Sequence, residues 1–341
     1  SSPMNILIIG GGIFLGQALL QAALERGDAV TVFNRGQARN WWPPGVKWII
    51  GDRREDLHLL MGHRWDAVID TCGYRPQDVE ATCAALFDAC DRYVFVSSVS
   101  AYASFAHAPI REDDPLASAV GVDREIVNPV TYGPLKAECE RTVCSIYGSR
   151  ALVIRPGLIA GPNDPTGRFS YWPWRFAGGG IVLAPGSPHR SIQFIDARDL
   201  AAWMLRLIQL GANGAFNATG PNEAMTFGEL LDTCRWVTGE EVEVEWVEER
   251  FLGQEGVQPW VELPLWIPAS DAQTRGFNSI DTTRARATDL KTRPAAVTIS
   301  DILEAGIPAP DDNRRHGKLT RERERDLLAV WKLRKQGVTV T

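Results

Sequence analysis

In the first half of the chain, short unbroken apolar runs alternate with stretches in which apolar residues recur every three or four positions. The runs are "NILIIG" (5–10), "AVTVFN" (29–34), "VKWII" (46–50), "WDAVIDT" (65–71), "RYVFVSS" (92–98) and "RALVIRP" (150–156). They lack the polar alternation of a strand with one wet face, so they predict strands buried on both faces. Between them, "GQALLQAALERG" (16–27), "PQDVEATCAALFDAC" (76–90) and "PLKAECERTVCSIYG" (134–148) carry the helical period. In the second of these, Val79, Cys83, Leu86 and Cys90 fall on one face. A β-α-β alternation of this kind predicts an α/β fold built on a parallel sheet with helices on both faces.

The second half reads differently. "GPNDPTGRFSYWPWRFAGGG" (161–180) is rich in Gly, Pro and aromatics and predicts irregular structure over a pocket. "QFIDARDLAAWMLRLIQLG" (193–211) returns to strand then helix, and "GAFNATG" (214–220) adds a strand. An acidic, Trp-bearing stretch covers 240–268. "TRERERDLLAVWKLRKQ" (320–336) predicts a terminal helix capped by Thr320, with an apolar stripe of Leu327, Leu328, Trp331 and Leu333. The expected division is a sheet domain over 4–160, rejoined by 190–220. A smaller, partly irregular substrate domain takes 161–189 and 221–336.

Composition narrows the function. The chain has 341 residues, 45% of them hydrophobic, and a net charge of −6. There is core enough for this fold and no basic surplus to point to nucleic acid. No apolar run approaches the roughly 18–20 residues of a membrane helix. "MNILIIG" runs into a turn without a charged leader, so the reading is a cytoplasmic protein. The six cysteines form no C-x-x-C and are expected reduced and buried, and no metal is expected.

Candidate chemistry begins at "ILIIGGGIFLG" (6–16). A diphosphate at a helix N-terminus needs bare backbone N–H groups and close approach, which glycine permits. Gly10, Gly11 and Gly12 supply the turn. Gly16 lets the helix pack on the strand. The spacing fits neither common glycine fingerprint, because Ile13 and Leu15 stand where glycines are usual. The phosphates are therefore expected on the N–H groups around Gly12, Ile13 and Phe14. With this turn, the pattern defines a Rossmann-type doubly wound sheet. At the end of the second strand, where a carboxylate normally takes the adenine ribose, stand Asn34 and Arg35. A guanidinium suits a 2′-phosphate, so NADP(H) is favoured over NAD(H). Asp52, after the third strand, is placed to reach the adenine amino group.

"TYGPLK" puts Tyr132 and Lys136 on one helical face. A lysine beside a phenol favours phenolate and suits the tyrosine to acid–base work. Hydroxyls at Ser97, Ser98 and Ser100, in "VFVSSVSAY", end the preceding strand.

The glycine turn, "VSSVSAY", "TYGPLK", "VIRPGLIAGP" (153–162), "FIDARDLA" (194–201) and "GAFNATGP" (214–221) occur in that order. The series resembles the short-chain dehydrogenase/reductase superfamily, in its extended NAD-dependent epimerase/dehydratase branch, over about residues 4–235. The G-G-x-x-x-x-G turn is similar to an atypical subgroup whose members are variously labelled epimerase, isoflavone-reductase-like or RNA-binding. The resemblance implies that Tyr132 exchanges the proton at the reacting oxygen and that Ser98 polarises that oxygen. It implies that Lys136 lowers the tyrosine's pKa and holds the nicotinamide ribose. Thr71, Cys72 and Gly73 line the cofactor, with Asp70 to Gly73 replacing the branch's H-L-A-A run. Pro156 and Gly157 face the nicotinamide. It also implies a homodimer through the helices 76–90 and 134–148.

Two departures bear on substrate. Leu158 follows Gly157 where nucleotide-sugar enzymes carry an asparagine, and Ile192 replaces their diphosphate-binding arginine. Arg190 lies on the same strand face and is placed to substitute. Tyr74, Ser100, Leu158, Phe169, Trp172 and Arg190 are the expected substrate contacts, with the aromatics suiting a flat or less polar ligand. The reading is an NAD(P)(H)-dependent oxidoreductase acting on a carbonyl or hydroxyl carbon of a small molecule. A nucleotide-sugar epimerase or dehydratase with tightly held NAD is the alternative. A non-catalytic RNA-binding protein is the third; its support is the basic run Arg314–Arg325, which acidic residues interrupt.

Overall fold

The computed structural model describes residues 2–37, 41–306 and 317–337. Its centre is a seven-stranded sheet containing β1 (Asn5–Ile9), β2 (Ala29–Asn34), β3 (Lys47–Ile50), β4 (Trp65–Asp70), β5 (Cys90–Val96), β6 (Ala151–Pro156) and the strand Gly214–Ala218. The order is Gly214–Ala218, β6, β5, β4, β1, β2, β3, and every pairing is parallel. From β1 the chain builds outward through β2 to β3. It then crosses to β4 on the other side and builds the opposite way. The reversal between β1 and β4 leaves a crevice beyond their C-terminal ends, where such sheets bind ligands.

The unbroken apolar runs are explained by burial on both faces, except in β3, which lies at the sheet edge and, against expectation, has no buried residue. Ile6 and Ile8 pack under α1 (Leu15–Glu25) and α5 (Ala197–Gln209), against Leu19, Leu20, Leu200 and Met204. Leu7 and Ile9 point the other way, toward α2 (Pro76–Leu86) and α3 (Tyr132–Tyr147), with Val79, Cys83, Cys139 and Val143. A third cluster lies outside the sheet. It joins α4 (Tyr171–Ala177), α6 (Phe227–Thr238), the parallel strands Gly180–Pro185 and Val242–Val247, and the helix Arg321–Lys335. Ala285 and Leu290, late in the chain, return to the sheet core.

Four expectations need correction. The helix from Pro76 ends at Leu86, and Cys90 opens β5 rather than closing the helical face. The segment 161–180 contains a regular helix, α4. Pro173 falls in its first turn, where a backbone N–H would have no intrahelical acceptor, so it does not break the helix. In the terminal helix Thr320 Oγ1 accepts from Arg323 N at 3.1 Å as expected, but Leu333 is 39% exposed. The inner face carries Glu324 with Leu327 and Trp331, and Arg175 Nε donates to both Glu324 oxygens at 2.8 and 3.1 Å. Finally, all six cysteines are free, but Cys144 is exposed and Cys72 only half-buried. No helix among the described residues is long and apolar enough to cross a membrane.

Candidate active site

The glycine turn sits at the β1/β4 crevice. Gly10 and Gly11 adopt φ of 101° and 79°, in the left-handed region. A Cβ at Gly10 would lie 2.3 Å from Thr71 Oγ1, and one at Gly16 only 2.4 Å from Gly11 Cα. Gly16 therefore closes α1 onto the turn. Phe14 leads into α1 with a φ of 43°, and no side chain caps the helix. Of its first N–H groups, that of Gly16 donates to Ile13 O at 3.0 Å, while those of Leu15 and Gln17 stand beside the glycine turn, a fit for a diphosphate. The Ile13 side chain is 52% exposed and does not block them. Gln17 Nε2 donates to Gly12 O at 2.9 Å and steadies the turn.

Asn34 is built into this turn. Its Nδ2 donates to Gly10 O at 2.8 Å, and its Oδ1 accepts from Gly36 N at 2.9 Å and Trp48 Nε1 at 3.0 Å. The amide thus ties β2 to β1 and β3, and Arg35 beside it is exposed. Asp52 holds its own loop: Oδ1 accepts from Arg54 N at 2.8 Å.

Across the crevice, α3 starts at Tyr132. Gly133 lets it approach, since a Cβ there would lie 2.3 Å from Ser100 O. That contact brings Tyr132 to the Ser98–Ser100 turn, where Ser98 Oγ accepts from Ser100 N at 3.0 Å. Lys136 is 2% exposed, and its Nζ donates to Gly73 O and Val96 O, each at 2.7 Å. The Tyr74 ring lies over it, 5.0 Å from Nζ, and 6.5 Å from the Tyr132 ring. Burial raises the Tyr132 phenol above its ordinary value; the Ser98 hydrogen bond and the charge of Arg168 pull against it. Lys136, expected as the charge that lowers Tyr132, directs its Nζ to the Gly73 and Val96 carbonyls instead. Burial lowers Lys136 itself. The phenol is protonated at neutral pH and is ready to donate. Lys136 braces the 73 and 96 carbonyls and keeps a third proton free.

Behind this site, Asp70 is fully buried at the end of β4. Arg53 grips it with two hydrogen bonds of 2.9 Å, and Tyr93 OH donates at 2.6 Å. Burial pushes its carboxyl up, but the Arg53 charge and these hydrogen bonds outweigh it, so Asp70 lies below 3.8. A carboxylate lowered on folding stabilises fully above its unfolded value, about 3.9, and loses this as pH falls through the folded value. Asp70→Asn should therefore cost about 3–5 kcal/mol at pH 7, since Arg53 is left buried without its partner. Its stability should also fall less than that of wild type as pH drops below about 4. Chemical denaturation at a series of pH values checks both. Parallel curves would remove Asp70 as the source of the acid limb.

A second buried network passed unnoticed in the sequence. Glu140, one turn beyond Lys136, accepts from Ser97 Oγ at 2.5 Å and is held by Arg155 Nε and Nη2, the latter at 2.8 Å. Arg155 Nη1 donates to Tyr102 OH at 3.0 Å, and Tyr102 donates to Asn217 Oδ1 at 2.5 Å. Burial pushes the Tyr102 phenol up to about 12. The chain of contacts locks α3, the Ser97–Ser98 corner, β6 and Gly214–Ala218 together beneath the site. The only signal in the sequence was Arg155 in the otherwise apolar β6, since Glu140 stands among other charged residues of α3.

The remaining expected residues divide. Thr71 Oγ1 donates to Ile9 O at 2.7 Å, and Cys72 is half-buried beside Arg53. Pro156 is buried, and Gly157 packs against Thr219, where a Cβ would lie 2.8 Å from Oγ1. Tyr74 is exposed, Ser100 is half-buried, and Leu158 is half-buried against the third cluster. Phe169 and Trp172 do not line a pocket: both are wholly buried in the third cluster, and Trp172 Nε1 donates to Pro264 O at 2.9 Å. Arg190 is paired with Glu249 at 3.3 Å.

The doubly wound sheet, the glycine turn at its switch point and the Ser98–Tyr132–Lys136 set define a dinucleotide-binding enzyme fold of the short-chain dehydrogenase/reductase type. A model of the NAD dependent epimerase/dehydratase family matches residues 6–219, and the chain belongs to that family. It is 26% identical over 257 residues to the chloroplast stem-loop binding protein of 41 kDa b of Arabidopsis thaliana, covering 69% of this chain and 63% of that protein. It is 29% identical over 193 residues to UDP-glucose 4-epimerase of Azospirillum brasilense, covering 49% and 52%. The chain thus spans only 63% and 52% of the length of these relatives. Among solved structures, the Bordetella bronchiseptica enzyme WbmG, in complex with NAD and UDP, shares the fold with a TM-score of 0.65 at 20% identity, covering 89% of this chain and 94% of that one. UDP-glucose 4-epimerase of Thermotoga maritima, solved with UDP-glucose, gives 0.65 at 17%, covering 89% and 98%.

Proposed function

We propose that this protein is an NADP(H)-dependent oxidoreductase of small molecules, in which Tyr132 and Ser98 serve the carbonyl or hydroxyl oxygen. The observation that carries the reading is that Gly133 lets the start of α3, with Tyr132, close onto the Ser98–Ser100 turn, while Gly10 and Gly16 build a side-chain-free turn at the start of α1. When bound, the nicotinamide supplies or accepts the hydride at the carbon. Tyr132 donates the proton to the oxygen in the reducing direction, and Ser98 holds the oxygen toward it. The first-turn N–H groups of α1 take the diphosphate, and the free proton of Lys136 is offered to the nicotinamide ribose. A homodimer closed through α2 and α3 belongs to the same reading.

The epimerase or dehydratase reading has specific support in the names of several relatives and fold neighbours. The two differ in what becomes of the cofactor. Incubation with NADPH and a panel of carbonyl compounds, nucleotide sugars included, is expected to consume NADPH one-for-one with product. Retained cofactor recycled through many turnovers favours the epimerase instead. The RNA-binding reading is disfavoured by charge pairing. Arg314–His316 of its basic run lie outside the described residues, while Arg323 pairs with Glu262 at 2.9 Å and Arg321 with Glu324 at 3.7 Å.

Arg35 carries the cofactor preference. NADPH should bind at least about tenfold tighter than NADH, a difference of 1.4 kcal/mol. Arg35→Ala should close most of that gap by weakening NADPH alone. Competitive fluorescence titration of both dinucleotides measures it, and equal affinities in the wild-type protein would remove the NADP assignment.

A further inference from the structure

Of the three aromatic side chains expected at the substrate, Phe169 and Trp172 belong to the core, and Tyr74 remains. It is 42% exposed, and its ring centroid lies 6.5 Å from that of Tyr132, with the rings tilted by 40°. A singly exposed aromatic is ordinary on a protein surface. Tyr74 differs in being held rigidly beside the reacting phenol.

The backbone is clamped on both sides of it. Gly73 packs so closely that a Cβ there would lie 2.5 Å from Phe95 Cε1, and its carbonyl accepts from Lys136 Nζ at 2.7 Å. Two residues after Tyr74, Pro76 opens α2. The Lys136 ammonium lies 5.0 Å from the Tyr74 ring centroid and holds the ring by a cation–π contact. The segment after Tyr74 is also tied to the segment before Tyr132. Arg75 Nη1 and Gln77 Nε2 donate to the Glu125 carboxylate at 3.2 and 2.9 Å. Beyond Glu125, Thr131 Oγ1 donates to Ile126 O at 2.6 Å, and Tyr132 N donates to Asn128 O at 2.9 Å. Ile126, Val127 and Val130, all on this turn, are exposed and apolar. Arg190, placed by the sequence to anchor a polar substituent, is engaged by Glu249.

We propose that Tyr74 is a specificity-determining platform, on which a planar apolar group conjugated to the reacting carbonyl stacks beside Tyr132. It rests on the dinucleotide-dependent reading above and names the class of substrate that reading leaves open: aryl or conjugated carbonyl compounds. Two rings 6.5 Å apart and tilted leave no slot for a third between them, so the substrate ring lies on the exposed part of Tyr74, offset or edge-on. A carbonyl conjugated to that ring lies in its plane. Stacking the ring therefore also orients the oxygen toward the phenol.

Titration of the NADP+-saturated protein with acetophenone and with cyclohexyl methyl ketone, followed by ligand-detected NMR, tests this. The two ketones differ in the planarity of the ring, and the oxidised cofactor cannot reduce either. Acetophenone is expected to bind saturably and at least about threefold tighter than the saturated ketone, within the range of one aromatic contact. Tyr74→Ala should abolish that preference, and Tyr74→Phe, which keeps the ring, should restore it. Tyr74→Leu, which keeps apolar bulk without a ring, gives the same reading as Tyr74→Ala should the latter fail to fold. No binding of acetophenone, equal affinity for the two ketones, or a preference that survives removal of the ring overturns the platform and leaves the dinucleotide reading standing. Failure of NADP+ to bind overturns the dinucleotide reading instead, and the same ketone titrations on the free protein and its variants then decide the platform.

Discussion

Replacing Tyr132 with Phe is expected to lower turnover by roughly 10²–10⁴-fold, the usual contribution of a positioned acid–base group. NADPH affinity should stay within about twofold, because the phenol is assigned no part in holding the diphosphate at the α1 terminus. The ring contact with Tyr74 survives the change, since Phe keeps the ring. Burial holds the phenol above its ordinary value, so at neutral pH it is a proton donor ready for the reducing direction. The measurement is the initial rate of dinucleotide absorbance change on whichever substrate the panel identifies. Wild-type turnover in Tyr132→Phe would mean that the proton comes from another group, and the catalytic assignment would fall.

The second large effect lies one turn further along α3. Glu140 and Arg155 are 2% and 4% exposed, so Glu140→Gln leaves a guanidinium buried without its charge partner. Breaking such a pair costs about 3–5 kcal/mol. At roughly 2–4 °C per kcal/mol, the unfolding midpoint should fall by the order of 6–20 °C. The double variant Glu140→Met, Arg155→Met should lose less than the sum of the single variants, because no lone charge is left behind. Glu140 also accepts from Ser97, the neighbour of Ser98. Turnover should therefore fall in Glu140→Gln even at a temperature where the protein is fully folded, with NADPH affinity little changed. Additive losses of stability would contradict the pairing. Unaltered turnover in the folded variant would make the network purely structural.

The elements that carry the cofactor site were the legible ones, for a physical reason. Strands buried on both faces must be apolar without interruption, so β1, β2 and β4 to β6 announce themselves, and glycines at a strand–helix junction have few other uses. What escaped were properties set by tertiary contact. The helix α4 hides in a Gly- and Pro-rich stretch because its Pro173 falls where proline is harmless. Phe169 and Trp172 read equally well as ligand stackers or as core, and only the third cluster settles that they are core. Asn34 resembled a ribose ligand by position, yet both ends of its amide hold the turn together. The Tyr–Lys spacing placed both groups on one helix but could not tell that Lys136 turns to the carbonyls of Gly73 and Val96. Gly133 was the overlooked signal, since its missing side chain allows α3 to reach the Ser98–Ser100 turn.

The claim on which all else depends is that the turn from Gly10 to Gly16 binds a nicotinamide dinucleotide. Titrating the purified protein with NADPH, and following energy transfer from tryptophan to the reduced nicotinamide, tests it most directly. The account predicts saturation at one dinucleotide per chain in the wild-type protein. It also predicts loss of that signal in Gly16→Val, whose side chain would strike the Gly11 backbone, in a variant that remains folded by circular dichroism. A wild-type protein that shows no saturable binding of either NADPH or NADH, or a folded Gly16→Val that binds as tightly as wild type, would contradict it.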